Sequence, residues 1–142
     1  MKRIIKLLSY TLIAAFMLVM GTYLQACKKD KPKPPQEANL AVSLDPAPGS
    51  VTTPVVAIGA TYTFNVKVDS RMPANGVTVN VVYRQDSDNQ VAFSQEYSTA
   101  TSPLPVSITG IPFNELGTVT VVVTSKSNAT NTQTKTFKLV RK

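Results

Sequence analysis

The sequence predicts an all-β body, an antiparallel sandwich of two sheets and about seven strands, behind an apolar N-terminal helix and a disordered linker. Three observations predict it. β-Branched residues dominate: after Cys27 there are 17 Val and 15 Thr but only five Leu. Side chains stiff at χ1 suit a pleated sheet better than a helix. Apolar residues recur at every second position in short runs, the phase of a strand with one buried face. Clusters of Pro, Gly, Asn and Asp break these runs at intervals of roughly 8–16 residues.

The chain begins with a leader. Lys2, Arg3 and Lys6 form a positive start, and residues 7–24 are uncharged and mostly apolar, the pattern of a secretory signal. Leu24, Gln25, Ala26 and Cys27 follow, and Cys27 is the single cysteine. Together these residues resemble the bacterial lipoprotein signal peptide, whose lipobox is an apolar residue, a tolerant position, a small residue and then Cys. The resemblance implies residues 1–26 as a signal peptide and cleavage between Ala26 and Cys27 by signal peptidase II. It also implies lipidation of the Cys27 thiol, with palmitate-type acyl chains. Two or three chains on one residue pass the threshold for stable anchoring, since each buried CH₂ contributes about 0.8 kcal/mol. An uncleaved membrane helix fits less well: the run of 18 residues is short of the roughly 20 needed to span. Its flanks are nearly equally basic, so they set no orientation. An ordinary secretory signal would leave the position of Cys27 without a reason.

Residues 28–37 form a tether. They contain four Lys and three Pro and no large apolar side chain. Such a segment stays extended at roughly 3.1 Å per residue and would hold the body about 30 Å from a bilayer. Its run Cys27-Lys28-Lys29-Asp30 is similar to tethers of Bacteroidota-type lipoproteins, which implies a cell-envelope location at the outer membrane.

The body, residues 38–142, is then read strand by strand. Leu40, Val42 and Leu44 alternate with polar or small residues. An irregular piece over 51–58 is interrupted by Pro54, which confines it to an edge or a crossing. Tyr62, Phe64, Val66 and Val68 share one face of the cleanest strand. Val77, Val79, Val81 and Tyr83 share another, after a turn at Pro73-Ala74-Asn75-Gly76. A turn over 86–90 leads to a weaker strand carrying Val91, Phe93 and Tyr97. Leu104, Val106 and Ile108 make a short one. Val119, Val121 and Val123 form the inward row of a strand over 118–124, and Val122 on the opposite phase predicts cover on both sides. Phe137 and Leu139 point inward from the last strand. This order of strong and weak strands, and residues 108–123 in particular, resembles immunoglobulin-like and fibronectin-III-like domains of bacterial surface proteins. The resemblance implies the immunoglobulin-like sandwich, without its Cys pair or Trp; Val119 stands near the place of that family's tyrosine corner.

Composition excludes several functions. There is no His in the chain and no Cys after residue 27. Metal sites built on His/Cys ligands and His-based nucleophile–base pairs are therefore absent from the body. From Ala38 onward eight Lys/Arg face six Asp/Glu, so the excess of positive charge sits in the leader and tether. A nucleic-acid surface needs a basic face with interleaved aromatics, and the body has none. Asp86, Asp88 and Asn89 offer oxygens to Ca²⁺, but Val91 stands where an EF-hand loop needs Gly, so they read as turn residues. The acids Asp86, Asp88, Glu96 and Glu115 fall in no catalytic motif. The expectation is a non-enzymatic protein with no cofactor and no metal.

Seven aromatics follow Cys27, most on the inward phase of strands. Phe113, in a loop, and Tyr97, near a strand end, are the two candidates for ligand contact. The sequence thus predicts a lipid-anchored envelope protein whose body is a binding, adhesion or spacer module for a protein or glycan partner. The alternative is an accessory glycan-binding lipoprotein of an outer-membrane uptake system.

Overall fold

The computed structural model describes residues 36–49 and 51–142. The expected signal peptide, the expected cleavage site at Ala26 and Cys27, and most of the expected tether fall outside the described residues. Glu37–Lys142 form one compact unit, and the described part is all β. Its strands are β1 (Val42–Asp45), β2 (Val55–Ala57), β3 (Tyr62–Val68), β4 (Val77–Gln85), β5 (Val91–Thr99), β6 (Leu104–Ile108), β7 (Leu116–Ser125) and β8 (Thr132–Arg141). They make a three-stranded sheet in the order β1-β3-β6 and a five-stranded sheet in the order β2-β8-β7-β4-β5.

The period-two pattern explains the core directly. In β4, Val77, Val79, Val81 and Tyr83 are fully buried, and β7 opposes them with Val119, Val121 and Val123, also fully buried. The register pairs Val79 with Val123, Val81 with Val121 and Tyr83 with Val119. The small sheet covers this row with Val42 and Leu44 from β1, Phe64 and Val66 from β3, and Val106 and Ile108 from β6. The two sheets meet ring to ring: Phe64 lies edge-on to Phe137 of β8, with centroids 5.7 Å apart and planes at 86°. Tyr62 packs against both rings. Such pairs contribute about 0.5–1.5 kcal/mol beyond the area they bury.

Three features differ from the expectation. The described residues hold eight strands, and the sandwich is mixed rather than purely antiparallel, because β2 runs parallel to β8. The reason lies between β1 and β2. The chain leaves the small sheet after Asp45 and reaches the large one at Val55 without reversing direction. Three of the intervening residues are Pro46, Pro48 and Pro54, which cannot donate to a ladder. In β5 the register jumps: Tyr83 pairs with Phe93, but Arg84 pairs with Val91. This bulge around Ala92 puts Val91 in phase with the outward Arg84, and Val91 is exposed. An extra residue in one strand has that effect on every side chain beyond it. Finally, Val122 is only half-buried. It lies between Asn80 and Thr134 in the ladder, and no layer of the described residues lies above it.

Two local constraints fix the ends of the sandwich. Gly117, opposite Gln85 and Leu139, lies beneath the Tyr83 ring. A Cβ there would overlap that ring and come within 2.6 Å of the Arg84 carbonyl oxygen. The Tyr83 hydroxyl donates to the Glu115 carbonyl at 3.4 Å, so a tyrosine from β4 ties down the loop entering β7. At the other end Asn131 clasps the incoming chain. It accepts from the Leu40 amide at 2.8 Å and donates through Nδ2 to Glu37 Oε1 at 2.6 Å and to the Ala38 carbonyl at 2.9 Å. Leu40 is thereby buried before the first strand begins.

Gly117→Ala is expected to lose roughly 1–3 kcal/mol, the cost of overpacking a tight site. Gly59→Ala, where an added Cβ meets nothing within 4 Å, is expected to leave stability within about 0.5 kcal/mol. Urea titration of the two variants against the wild type checks the contrast.

Candidate functional site

Strand directions place the two ends of the sandwich unambiguously. Residues 37–40 join it beside Asn131, at the end where Val77 pairs with Ser125. The opposite end, called the far end below, carries the turns over 58–61 and 86–90, the loop over 109–115 and the C-terminus. Exposed large apolar residues gather there. Ile58 is 95% exposed, Phe113 67%, Val56 53% and Leu116 37%. Three side chains form a row across the outer face of the large sheet. Val56 pairs with Val140, and Val140 pairs with Leu116. Because laterally paired residues share a face, these three make one apolar stripe. Ile58 follows Val56 just past the end of β2.

Phe113 sits at the same end, held by a bridge to Arg141. The Asn114 amide donates to the Arg141 carbonyl at 2.9 Å. Asn114 takes a positive φ of 62°, which its short polar side chain tolerates and which turns the loop back toward β7. The Arg141 guanidinium lies 5.8 Å from the Phe113 ring centroid, within cation–π range. It also donates through a terminal nitrogen to the Ile111 carbonyl at 3.3 Å. Its Nε is buried and has no hydrogen-bond partner among the described residues. Phe113 therefore presents one face backed by a cation and the other to solvent.

A polar cluster borders the apolar row. Lys138 Nζ lies 2.6 Å from Asp86 Oδ2 and 2.7 Å from Thr118 Oγ1. The Thr118 hydroxyl donates to Asp86 Oδ1 at 2.7 Å. Partial burial works against the Asp86 carboxylate. The hydrogen bonds from Lys138 and Thr118 and the Lys138 charge outweigh it and hold its pKa below the ordinary Asp value. Asp88 accepts from the Gln90 amide at 2.9 Å, and Asn89 takes a positive φ of 62°. The three oxygen-bearing residues thus build the β4–β5 turn, as their types favour. Tyr83 has its pKa raised by burial first, then by the nearby charges of Asp86 and Glu115.

Tyr97 is elsewhere. It pairs with Val79 in the ladder, and that row continues through Val123 to Gln133. Phe113 is bridged to Arg141, eight residues farther along β8, a distance of about 27 Å. Tyr97 is half-buried, packed against the core, with its hydroxyl donating to Gln95 Oε1 at 3.0 Å. The two aromatics cannot form one stacking platform. The residues that accompany Phe113 are Ile58, Val56, Leu116 and Arg141. The three apolar ones leave a faint signal in the sequence, since the alternation around them is broken by Pro54 or by the 109–115 loop.

A concavity of about 400 Å³ lies over the small sheet, lined by Asp45, Thr63, Asn65, Pro105 and Ser107 among others. Lys67 crosses to Asp45 there at 2.8 Å. Among the described residues no group of three or more His, Cys, Asp or Glu is placed to hold a metal ion. No protein-family model matches this sequence, and no curated protein matches it at a significant level.

The Asp86 cluster makes stability depend on acid in a defined direction. A carboxyl with a lowered folded pKa stabilises fully above its unfolded pKa, and that contribution is lost as pH falls through the folded value. Asp86→Asn is expected to flatten the loss of stability below the ordinary Asp pKa, about 3.9, relative to the wild type. Thermal melts between pH 7 and pH 2.5 measure this.

Proposed function

We propose that this chain is a lipid-anchored lipoprotein of the cell envelope, seated in the outer membrane. Its body is an immunoglobulin-like domain acting as a non-enzymatic binding or adhesion module. The observation that carries the reading is the opposition of the two ends. The chain coming from the Cys27 side is clasped at Asn131, and the exposed apolar residues Ile58, Phe113, Val56 and Leu116 lie at the other end. A tethered domain that binds something beyond the membrane needs its contact surface away from its attachment.

The strand order supports the immunoglobulin-like assignment. In that family's terms β1, β3 and β6 correspond to strands A, B and E, while β4, β5, β7 and β8 correspond to C, C′, F and G. The first strand is split, β1 in one sheet and β2 beside the last strand in the other. Tyr83 reaches the loop before β7 and serves from a neighbouring strand the purpose of the missing tyrosine corner. The anchor rests on the leader, the Leu24–Cys27 pattern and the tether.

A second reading has one observation in its favour. An exposed aromatic ring is a platform for a sugar face, and Phe113 is such a ring. That would make the protein an accessory glycan-binding component of an outer-membrane uptake system.

Labelled palmitate fed to expressing cells is expected to enter the wild-type protein and to be absent from Cys27→Ala. Label in both would contradict the anchor. On a glycan array, binding by the wild type that disappears in Phe113→Ala would move the conclusion to the second reading, and no binding keeps the first.

A further inference from the structure

The two sheets have four outer edges, and they are not alike. A bare edge presents unpaired N–H and C=O groups and is a template for another strand. β1 offers four residues and runs into Pro46. β2 offers three and follows Pro54. β6 offers five, contains Pro105 and follows Pro103. Proline and shortness blunt each of these. The fourth edge, β5, has nine residues, Val91–Thr99, and beyond the bulge at Ala92 the seven from Phe93 to Thr99 run without interruption. It contains no Pro and no Lys or Arg, and Glu96 is its single charge. Its inner side pairs with β4. Among the described residues no backbone hydrogen bond reaches its outer side.

β5 is also incompletely covered. Its inward phase, Phe93, Gln95 and Tyr97, aligns with Tyr83, Val81 and Val79. The partners on β4 are fully buried, but no residue of β5 is. The cause is the mismatch of five strands over three: β5 projects past the small sheet, leaving two aromatics half in water.

We infer that β5 is a self-association edge, at which a second copy of this chain pairs antiparallel through its own β5 to join the two large sheets into one. The sequence of the strand selects this occupant. Residues directly opposite in an antiparallel pair have equal hydrogen-bonding character, so a two-fold axis must pass through a residue facing its own copy. An axis at Gln95 places the regular stretch from Phe93 to Tyr97 against its own copy and leaves the bulge at Ala92 outside the new ladder. It sets Phe93 opposite Tyr97 of the second copy, twice, on the half-covered face. It sets Glu96 opposite Ser94. Aromatic cross-strand pairs stabilise a ladder, and like charges directly opposite destabilise it. An axis at Glu96 would oppose two carboxylates and lose the aromatic pairs. The tether is not a competitor for this edge, because Pro32, Pro34 and Pro35 remove the donors a strand must supply.

This pairing makes no use of the lipid anchor for its contacts, and it sets the far end of one copy beside the Asn131 end of the other. Its geometry puts the two Asn131 clasps at opposite ends of the dimer, since the paired β5 strands run in opposite directions.

The test uses charge across the axis. The full chain is purified in detergent, and its association is followed by sedimentation velocity over a hundredfold range of protein concentration. The wild type is expected to shift from monomer to dimer. Gln95→Lys and Gln95→Glu each face a like charge in the second copy and are expected to stay monomeric. Their equimolar mixture is expected to recover the dimer, which a variant that had merely unfolded would not do. A wild type that stays monomeric throughout overturns the inference. So does dimerisation of either variant alone as strong as that of the wild type, since it would place the contact elsewhere.

Discussion

The inward row of valines on β4 and β7 must be sealed from water, and the rest of the structure follows from that requirement. Val77, Val79, Val81, Val119, Val121 and Val123 are all fully buried. Each contributes about 1.5–3 kcal/mol relative to exposure, whereas an exposed ion pair such as Lys67–Asp45 is worth about 0–1 kcal/mol. Burial therefore decides the fold, and the charge pairs trim it. Sealing the row needs a second sheet, which β1, β3 and β6 supply. Sealing the ends needs Tyr83 folded over Gly117 and Leu40 held down by Asn131.

Much of this was legible in the sequence, because alternation in a half-buried strand records which face is wet. The alternating rows that include Tyr62, Val79, Val106, Val121 and Phe137 give the inward phase of β3, β4, β6, β7 and β8 correctly. What was illegible depends on pairing rather than on phase. Nothing in residues 51–58 announces that Val55 will lie parallel to Leu139, since a strand does not carry the direction of its neighbour. The bulge at Ala92 is likewise a relation between two strands, and the letters of β5 do not show that Val91 will leave the face of Phe93. Val122 looked like a covered residue because an apolar side chain on the outward phase has the same letter whether or not a layer lies above it.

The candidate site was legible only in part, for a related reason. Phe113 could be singled out as an aromatic in a loop. Its neighbours Ile58 and Leu116 come from segments 55 or more residues apart, or lie at a strand start, and only the β2-β8-β7 ladder brings their end of the molecule together. Tyr97 was marked by its type and position, yet the register places it far from Phe113 and against the core. The two ends of the sandwich thus differ: one receives residues 37–40 and is closed by hydrogen bonds from Asn131, and the other leaves apolar surface to solvent. The entry of residues 37–40 and the exposed apolar residues are separated by the length of the strands.

Native-state hydrogen exchange in rising urea tests the primacy of the β4–β7 row most directly. The amides shared between β4 and β7, from Val79 to Tyr83 and from Val119 to Val123, should exchange only through the opening that unfolds the whole domain, with the full urea dependence of global unfolding. Exchange of those amides by a smaller opening, while β3 or β8 stays protected, would contradict the account and put the centre of the fold elsewhere.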